Sequence, residues 1–308
     1  MMEISREAAP KSMPSVGVSS SDAGHHGRNL CPFMAPSPNS ATASSESFAT
    51  FEALQRWRGI RRVGSSCRRR RSTLTGHEKI IERMRAFAAR GARELDGADA
   101  IDVVRWIDEN LAGSYVVASS MKDAVLIDIA ARVRPGVQVM FVDTGYHFAE
   151  TIGTRDAVEA LHDITVIDVR PEHSPAEQDA LVGKDLFATE PHECCRLRKV
   201  VPMSRALKGY RAWITGLRRA DSATRANAPL ISYDETFSIL KVNPLVDWTD
   251  DQLQAYIRAN DVLVNPLVHE GYPSIGCAPC TSIPHEGADP RSGRWAGQAK
   301  TECGLHVT

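Results

Sequence analysis

The 308-residue chain contains no run of about 18 apolar residues, so no part of it reads as a membrane-spanning helix. It carries almost no net charge: 37 Lys and Arg stand against 38 Asp and Glu, a formal -1. That balance argues against wholesale binding to nucleic acid but leaves room for a local cationic pocket. Also missing is the dense, paired cysteine framework of a small disulfide scaffold. Seven cysteines are an odd number on a long chain, and five of them, Cys194, Cys195, Cys277, Cys280 and Cys303, fall in the C-terminal half. We read these as reduced thiols in a cytoplasmic protein, used for metal binding or catalysis. The hydrophobic content of 43% suits a soluble globular chain.

Residues 1–76 lack any sustained hydrophobic period. The stretches "VSSSDAGHHG", "APSPNSATASSES" and "SSCRRRRSTLTG" cannot bury enough apolar area to offset chain entropy, which predicts a disordered N-terminal extension. Residues 1–71 hold 11 Lys and Arg against 5 Asp and Glu. This reads either as an organelle transit peptide or as an over-long start, since Met84 could open a compact chain. No apolar segment of the secretory kind follows Met1, and Cys31 and Cys67 receive no role.

From Gly76 onward the pattern is ordered. "HEKIIERMRAFAARGARELD" has helical spacing that Gly91 is expected to interrupt, and "DVVRWIDENL" is a second helix. "SYVVAS", "VQVMFVDTG", "ITVIDV", "YRAWITG" and "TFSILKVNPL" read as strands, with helices at "KDAVLIDIAARV", "HFAETIGTRDAVEAL" and "CCRLRKVVPMSRAL" between them. In "TDDQLQAYIRAND", Thr249 is the expected N-cap, with Asp250 and Asp251 suited to the first turn. Strands alternating with helices predict an α/β fold with a doubly wound, mostly parallel sheet over residues 77–264. Residues 265–308 are Gly- and Pro-rich and predict loop rather than core.

Chemistry is expected where strands end. "SSMKD" follows the first core strand, and its Ser119 and Ser120 either cap a helix or offer hydroxyl donors to an anion beside free helix N–H groups. Asp143, Thr144 and Gly145 end the next strand, where they form a plain turn or hold a ribose or base. "ITGLRRADSATR" sets Arg218, Arg219 and Arg225 just after a third strand, either as a solvated run or as guanidinium groups for a multiply charged anion.

The cysteines sharpen this picture. Cys277 and Cys280 have the C-x-x-C spacing of two ligands on one centre, and the prolines around them disfavour the strand-to-helix setting of a thioredoxin-type motif. With adjacent Cys194 and Cys195 they make four candidate thiolates, the donor set of zinc or of an iron–sulfur cluster. Neighbouring residues reach two corners of a zinc tetrahedron only with strain, whereas a larger iron–sulfur cube eases the geometry. In the terminal "KTECGLH", Cys303 lies beside pliable Gly304 and near His306, with Arg291 and Arg294 upstream. It reads as a frayed-tail thiol or as a nucleophile if nearby cations favour its thiolate.

Taken together, "ECCRLRKV", "GYPSIGCAPC", "DPRSGRW" and "KTECGLH" resemble the bacterial assimilatory adenylyl-sulfate reductases, most closely the mycobacterial branch, from about His77 to Thr308. The resemblance implies an adenine nucleotide alpha hydrolase-like fold, related to ATP pyrophosphatases, with a mobile C-terminal tail. It implies reduction of adenosine 5'-phosphosulfate to sulfite and AMP, with a separate thioredoxin as donor because no thioredoxin-like domain follows Cys303. It further implies a [4Fe–4S] cluster on Cys194, Cys195, Cys277 and Cys280, whose presence favours the substrate without a 3'-phosphate. Adenosine is then expected at Ser119, Ser120, Asp143, Thr144 and Gly145. The phosphosulfate is expected among Lys199, Arg218, Arg225, Arg291 and Arg294, with His306 assisting and Cys303 forming an S-sulfo adduct. On one α-helix, Lys199 would lie four residues after Cys195 and face the same side.

Where the pyrophosphatases carry two loop glycines this chain has Ser120 and Met121, which predicts a loop without close backbone approach to a pyrophosphate. Three alternatives stay open: a 3'-phosphoadenylyl-sulfate reductase, an ATP-dependent adenylating or thiolating enzyme of the same fold, and a non-catalytic metal-dependent sensor. A homo-oligomer is compatible with the sequence.

Overall fold

Three helix starts are written into the sequence as reciprocal side-chain caps. The structure, a computed structural model, describes residues 75–306. Thr75 accepts from the Glu78 amide while Glu78 returns to the Thr75 amide, so helix α1 runs over Gly76–Glu94. The expected N-terminal extension otherwise lies outside the described residues. Helix α2, Ala100–Leu111, leads into strand β1, Tyr115–Ser119, and helix α3, Val125–Val133. Strand β2 is Val137–Val142, α4 Ala149–Leu161 and β3 Ile164–Val169. The second cap pair, Ser174 with Glu177, starts α5, Pro175–Val182. Short helices α6, Leu186–Thr189, and α7, Pro191–Cys195, run into a π-helical turn, Arg196–Val200, and then α8, Val201–Ala206. Strands β4, Ala212–Thr215, β5, Ile231–Asp234, and β6, Ile239–Val242, precede α9, Asp250–Asn260, which is capped by Thr249 and Gln252 as expected.

The six strands form one sheet in the order β3-β2-β1-β4-β6-β5. All pairs are parallel except β5 with β6, an antiparallel edge. The doubly wound, mostly parallel sheet therefore stands, with β5 unforeseen because "ISYD" is too short and too polar to carry a period. Strand alternation splits the apolar residues between two cores. Val117, Val139 and Ile214 pack on one face with α1, α2 and α3, and Val116, Met140 and Trp213 pack on the other with Met203 and Leu207 of the α8 region.

Gly91 does not interrupt α1. A Cβ there would meet Ile231 Cδ1 and Trp106 Cη2 at 3.1 Å, so the glycine lets the helix lie directly on β5 and α2. The expectation of non-core loop after Asn265 is also corrected in part. Residues 265–306 hold no long helix or strand, yet Asn265 is fully buried, Ile275, Cys277 and Trp295 are buried, and the segment belongs to the same compact unit as the sheet.

Gly91→Leu should cost about 1–3 kcal/mol by overpacking this contact. Chemical unfolding of the purified variant measures it, and unchanged stability would show that Trp106 and Ile231 give way freely.

Candidate active site

Because β1 is flanked by β2 on one side and β4 on the other, the chain reverses its winding there and leaves a crevice at the carboxyl ends of these strands. A cavity of about 440 Å³ occupies that place. Its walls come from the ends of β1 (Ser119, Ser120), β2 (Val142) and β4 (Thr215 to Arg218), and from the C-terminal segment (Arg291, Arg294, Cys303). Such a volume suits a nucleotide-sized ligand.

The loop after β1 departs from expectation in one respect. Met121 adopts φ +59° with its side chain fully buried, so the left-handed turn persists although its residue is not glycine. Three hydrogen bonds from two residues hold it. Ser119 Oγ accepts from the Met121 amide at 3.1 Å, Asn265 Nδ2 donates to the Met121 carbonyl at 3.0 Å, and Asn265 N donates to the Lys122 carbonyl at 2.9 Å.

Asp143, Thr144 and Gly145 do not line this cavity. Asp143 accepts from Arg170 at 3.2 Å and from the Gly145 amide at 3.0 Å. The Thr144 hydroxyl meets Cys277 Sγ at 3.3 Å, while its carbonyl accepts from buried Arg198 at 2.5 Å. Arg198 also donates to the His173 carbonyl and Gln178 and lies over the Tyr146 ring, so it pins the turn beside the cysteines. Sequence reading missed Arg198, because an arginine in "CCRLRK" carries no mark of burial.

Cys194, Cys195, Cys277 and Cys280 line a second, small cavity together with Tyr146, Phe187, Arg198 and Lys199. Burial first, and then the other three cysteines, push the Cys194 thiol up to about 12. Burial and Cys277 push Cys280 up to about 11. Cys277 moves the other way: burial opposes ionisation, but Lys199, the Thr144 hydroxyl and Arg294 outweigh it and hold its pKa below the ordinary thiol value. Among the described residues, no three His, Cys, Asp or Glu side chains converge on a point where one ion could sit.

Lys199 belongs to both cavities. It is not on a regular α-helical turn after Cys195, since the π-helical stretch shifts the phase, and Cys277 rather than Cys195 is the thiol that acts on it most strongly. Burial disfavours its charge, but Cys277 and Cys303 reverse that and raise its pKa. A second buried lysine, Lys300, meets His192 Nδ1 at 3.2 Å and lies over Trp295. Neither lysine has a carboxylate partner among the described residues.

Cys303 is half-buried at the main cavity and lies in the field of Lys199, Arg225, Lys241 and Arg291, all of which it affects in turn. Lys241 was also missed. It stands opposite Trp213 in the β4–β6 register, with Nζ 5.3 Å from the ring centre. Its signal was a lysine inside the otherwise apolar "ILKV". His306 stacks on Trp213 at 5.5 Å and 2°, and burial drives its pKa well below the usual value, keeping it neutral.

The arginines divide. Arg218 donates to Asp221 at 2.9 Å and Asp250 at 2.8 Å, and Arg225 to Glu302 and Asp221, so much of both forks is committed to carboxylates of the chain. Arg219 lies outside the cavity lining and pairs with Asp247. Arg294 is freer: its Nε is buried without a partner, and the Nδ1 of His306 and Nε1 of Trp213 share that state. With His147 Nδ1, four buried polar atoms on residues that line this cavity have no hydrogen-bond partner among the described residues. Arg294 reaches this place only because residue 276 is glycine, where a Cβ would stand 1.9 Å from its guanidinium.

A doubly wound sheet with a cationic cavity at its switch point and a thiol at the cavity rim defines an anion-binding α/β protein of the nucleotide-binding kind. Comparison with known proteins narrows this. A family profile described as phosphoadenosine phosphosulfate reductase domain matches residues 114–283. The adenosine 5'-phosphosulfate reductase of Mycobacterium tuberculosis is 65% identical over 242 residues, spanning 73% of this chain and 95% of that protein. Its namesake in Mycolicibacterium smegmatis is 66% identical over 225 residues, with the same 73% and 95% coverage. Among solved structures, the phosphoadenylyl-sulfate reductase of Candida auris in its phosphate complex aligns with a TM-score of 0.55 at 27% identity, over 68% of this chain and 98% of that one. The chain belongs to the phosphoadenosine phosphosulfate reductase family.

Asn265→Ala should leave the buried Met121 carbonyl unpaired and cost about 1–3 kcal/mol. Equilibrium unfolding checks this, and wild-type stability would mean that Ser119 and the backbone bond from residue 265 suffice to hold the left-handed turn.

Proposed function

We propose that the protein is an oxidoreductase of sulfate assimilation that reduces adenosine 5'-phosphosulfate to sulfite and AMP, with thioredoxin as electron donor in the cytoplasm. The observation that carries this reading is the Cys303 thiol at the rim of a cavity of about 440 Å³ lined by Lys199, Arg218, Arg225, Arg291 and Arg294. The names of the mycobacterial relatives support the substrate.

In this reading the nucleotide lies at Ser119 and Ser120. Arg291, Arg294 and Lys199 face the phosphosulfate, with His306 assisting from the same cavity. The Cys303 thiolate attacks the sulfate sulfur. A sulfur–sulfur bond forms, the sulfur–oxygen bond to phosphate breaks, and AMP leaves with that electron pair. The cations stabilise charge on the leaving phosphate. A thioredoxin thiolate next attacks the Cys303 sulfur and expels sulfite with its electron pair. The second thioredoxin thiol resolves the mixed disulfide, so the two thiols lose two protons and two electrons.

Cys194, Cys195, Cys277 and Cys280 fit a [4Fe–4S] cluster. They share one cavity, and two buried ammonium groups without carboxylate partners among the described residues stand beside them. Each iron of a cube takes one thiolate, and the assembly is anionic, which answers both features. When bound, the cluster contributes negative charge beside Lys199 rather than electrons, because the thiols account for both electrons.

Thioredoxin-dependent sulfite release from adenosine 5'-phosphosulfate and from its 3'-phospho form, measured in parallel on anaerobically purified protein, tests the reaction. Preference for the first is expected. Preference for the second would break the link between the four cysteines and substrate choice, and release from neither would sink the reading. Cys303→Ser should form no sulfo adduct by intact mass, and an adduct elsewhere would overturn the nucleophile assignment. Lys199→Ala should lower turnover by about tenfold or more with iron content retained, as expected for loss of a buried charge acting on the reacting anion. Normal turnover would remove Lys199 from the mechanism.

A further inference from the structure

The C-terminal tail is fastened on both sides of Cys303. After it, Leu305 packs against the Trp213 core and His306 stacks on Trp213. Before it stands Glu302, which the functional reading does not use. Its carboxylate takes Arg225 Nε at 2.8 Å on one oxygen and Arg225 Nη2 at 3.1 Å on the other, a bidentate pair. Arg291 Nη2 adds a bond at 3.0 Å to Glu302 and one at 3.2 Å to the Thr301 carbonyl. All three side chains are largely withdrawn from water, at 16% exposure for Glu302, 9% for Arg225 and 13% for Arg291. The third edge of Arg225 meets Asp221 at 3.3 Å.

This arrangement is costly to build for a passive tail. Ordering a glutamate and withdrawing it from water needs a compensating partner, and two guanidinium groups provide it. The residue so held is the immediate neighbour of the half-buried thiol. We propose that Glu302 is a positioning residue: its bidentate pair with Arg225, seconded by Arg291, latches the tail closed and sets Cys303 at the cavity. Arg225 thereby serves the nucleophile's placement rather than the substrate, since its fork is occupied by the chain itself. Thioredoxin can reach Cys303 only when this latch opens, so the Glu302 pair sets the balance between the closed state that reacts with substrate and the open state that is discharged.

The proposal rests on Cys303 as nucleophile, and its test separates the two. Holoenzyme is compared with Glu302→Gln, whose amide places an N–H against an arginine N–H, and with Glu302→Asp, which keeps the charge on a shorter arm. Three quantities are read: iodoacetamide alkylation of the Cys303 peptide by mass, single-turnover sulfo-adduct formation with saturating adenosine 5'-phosphosulfate without thioredoxin, and AMP affinity. In Glu302→Gln, alkylation should rise about tenfold and adduct formation fall about tenfold, the scale of one lost charge-assisted pair, while AMP affinity and iron content stay within about twofold. Glu302→Asp should fall between the two proteins. Wild-type alkylation and adduct rates in Glu302→Gln would overturn the latch. So would a parallel loss of AMP affinity, which would make Glu302 a support of the cavity. If the wild-type enzyme itself forms no adduct on Cys303, the functional reading fails, while the alkylation rates still decide the latch.

Discussion

Buried positive charge is the constraint around which this molecule is arranged. Lys199, Arg198, Arg225, Lys241, Arg294 and Lys300 all lie at or below 9% exposure, most of them within one region at the carboxyl ends of the strands. A charge taken out of water needs a partner or it becomes neutral. The chain supplies only part of what is needed, through Asp221 and Glu302 for the arginines and carbonyl oxygens for Arg198 and Arg294. For Lys199 it is Cys277 and Cys303 that favour the charged form. That deficit ties the four cysteines, the tail thiol and the cavity into one electrostatic unit, with Lys199 common to all three.

The fold provides the place for this concentration of charge. A parallel sheet that reverses its winding at β1 leaves its strand ends open to a ligand, and the two core faces hold the strands in register beneath it. The C-terminal segment closes the opening. It holds no long helix or strand, yet it brings Cys277 and Cys280 to the cysteines at the end of α7, and Arg291, Arg294 and Cys303 to the cavity. Glycine at 276 makes room for the Arg294 guanidinium, and left-handed Met121 preserves the turn after β1 without a glycine.

Much of this was legible along the chain. The capping pairs at Thr75, Ser174 and Thr249 are local, as are the alternation and burial of the strands, so the sheet followed from short-range patterns. The spacing of Cys277 and Cys280 is likewise a local signal. The direction in which a turn or helix presents its side chains was not legible in the same way. Asp143, Thr144 and Gly145 end a strand just as a ligand-binding turn would, but the turn rotates them toward Arg170 and Cys277. Lys199 was placed by a regular helical phase that the π-helical turn does not keep. Gly91 looked like a break because a packing contact with Trp106 and Ile231 leaves no trace in its own neighbourhood of sequence.

The sequence by itself determined most of the helices and strands, the sheet class and the family, because each depends on residues near one another or on motifs of fixed spacing. Only the tertiary structure decided which cations are free and which are spent. An arginine reads the same in sequence whether it faces a ligand or a carboxylate of its own chain. The commitment of Arg225 to Glu302, 77 positions further along the chain, exists only once the tail has folded back over the strand ends.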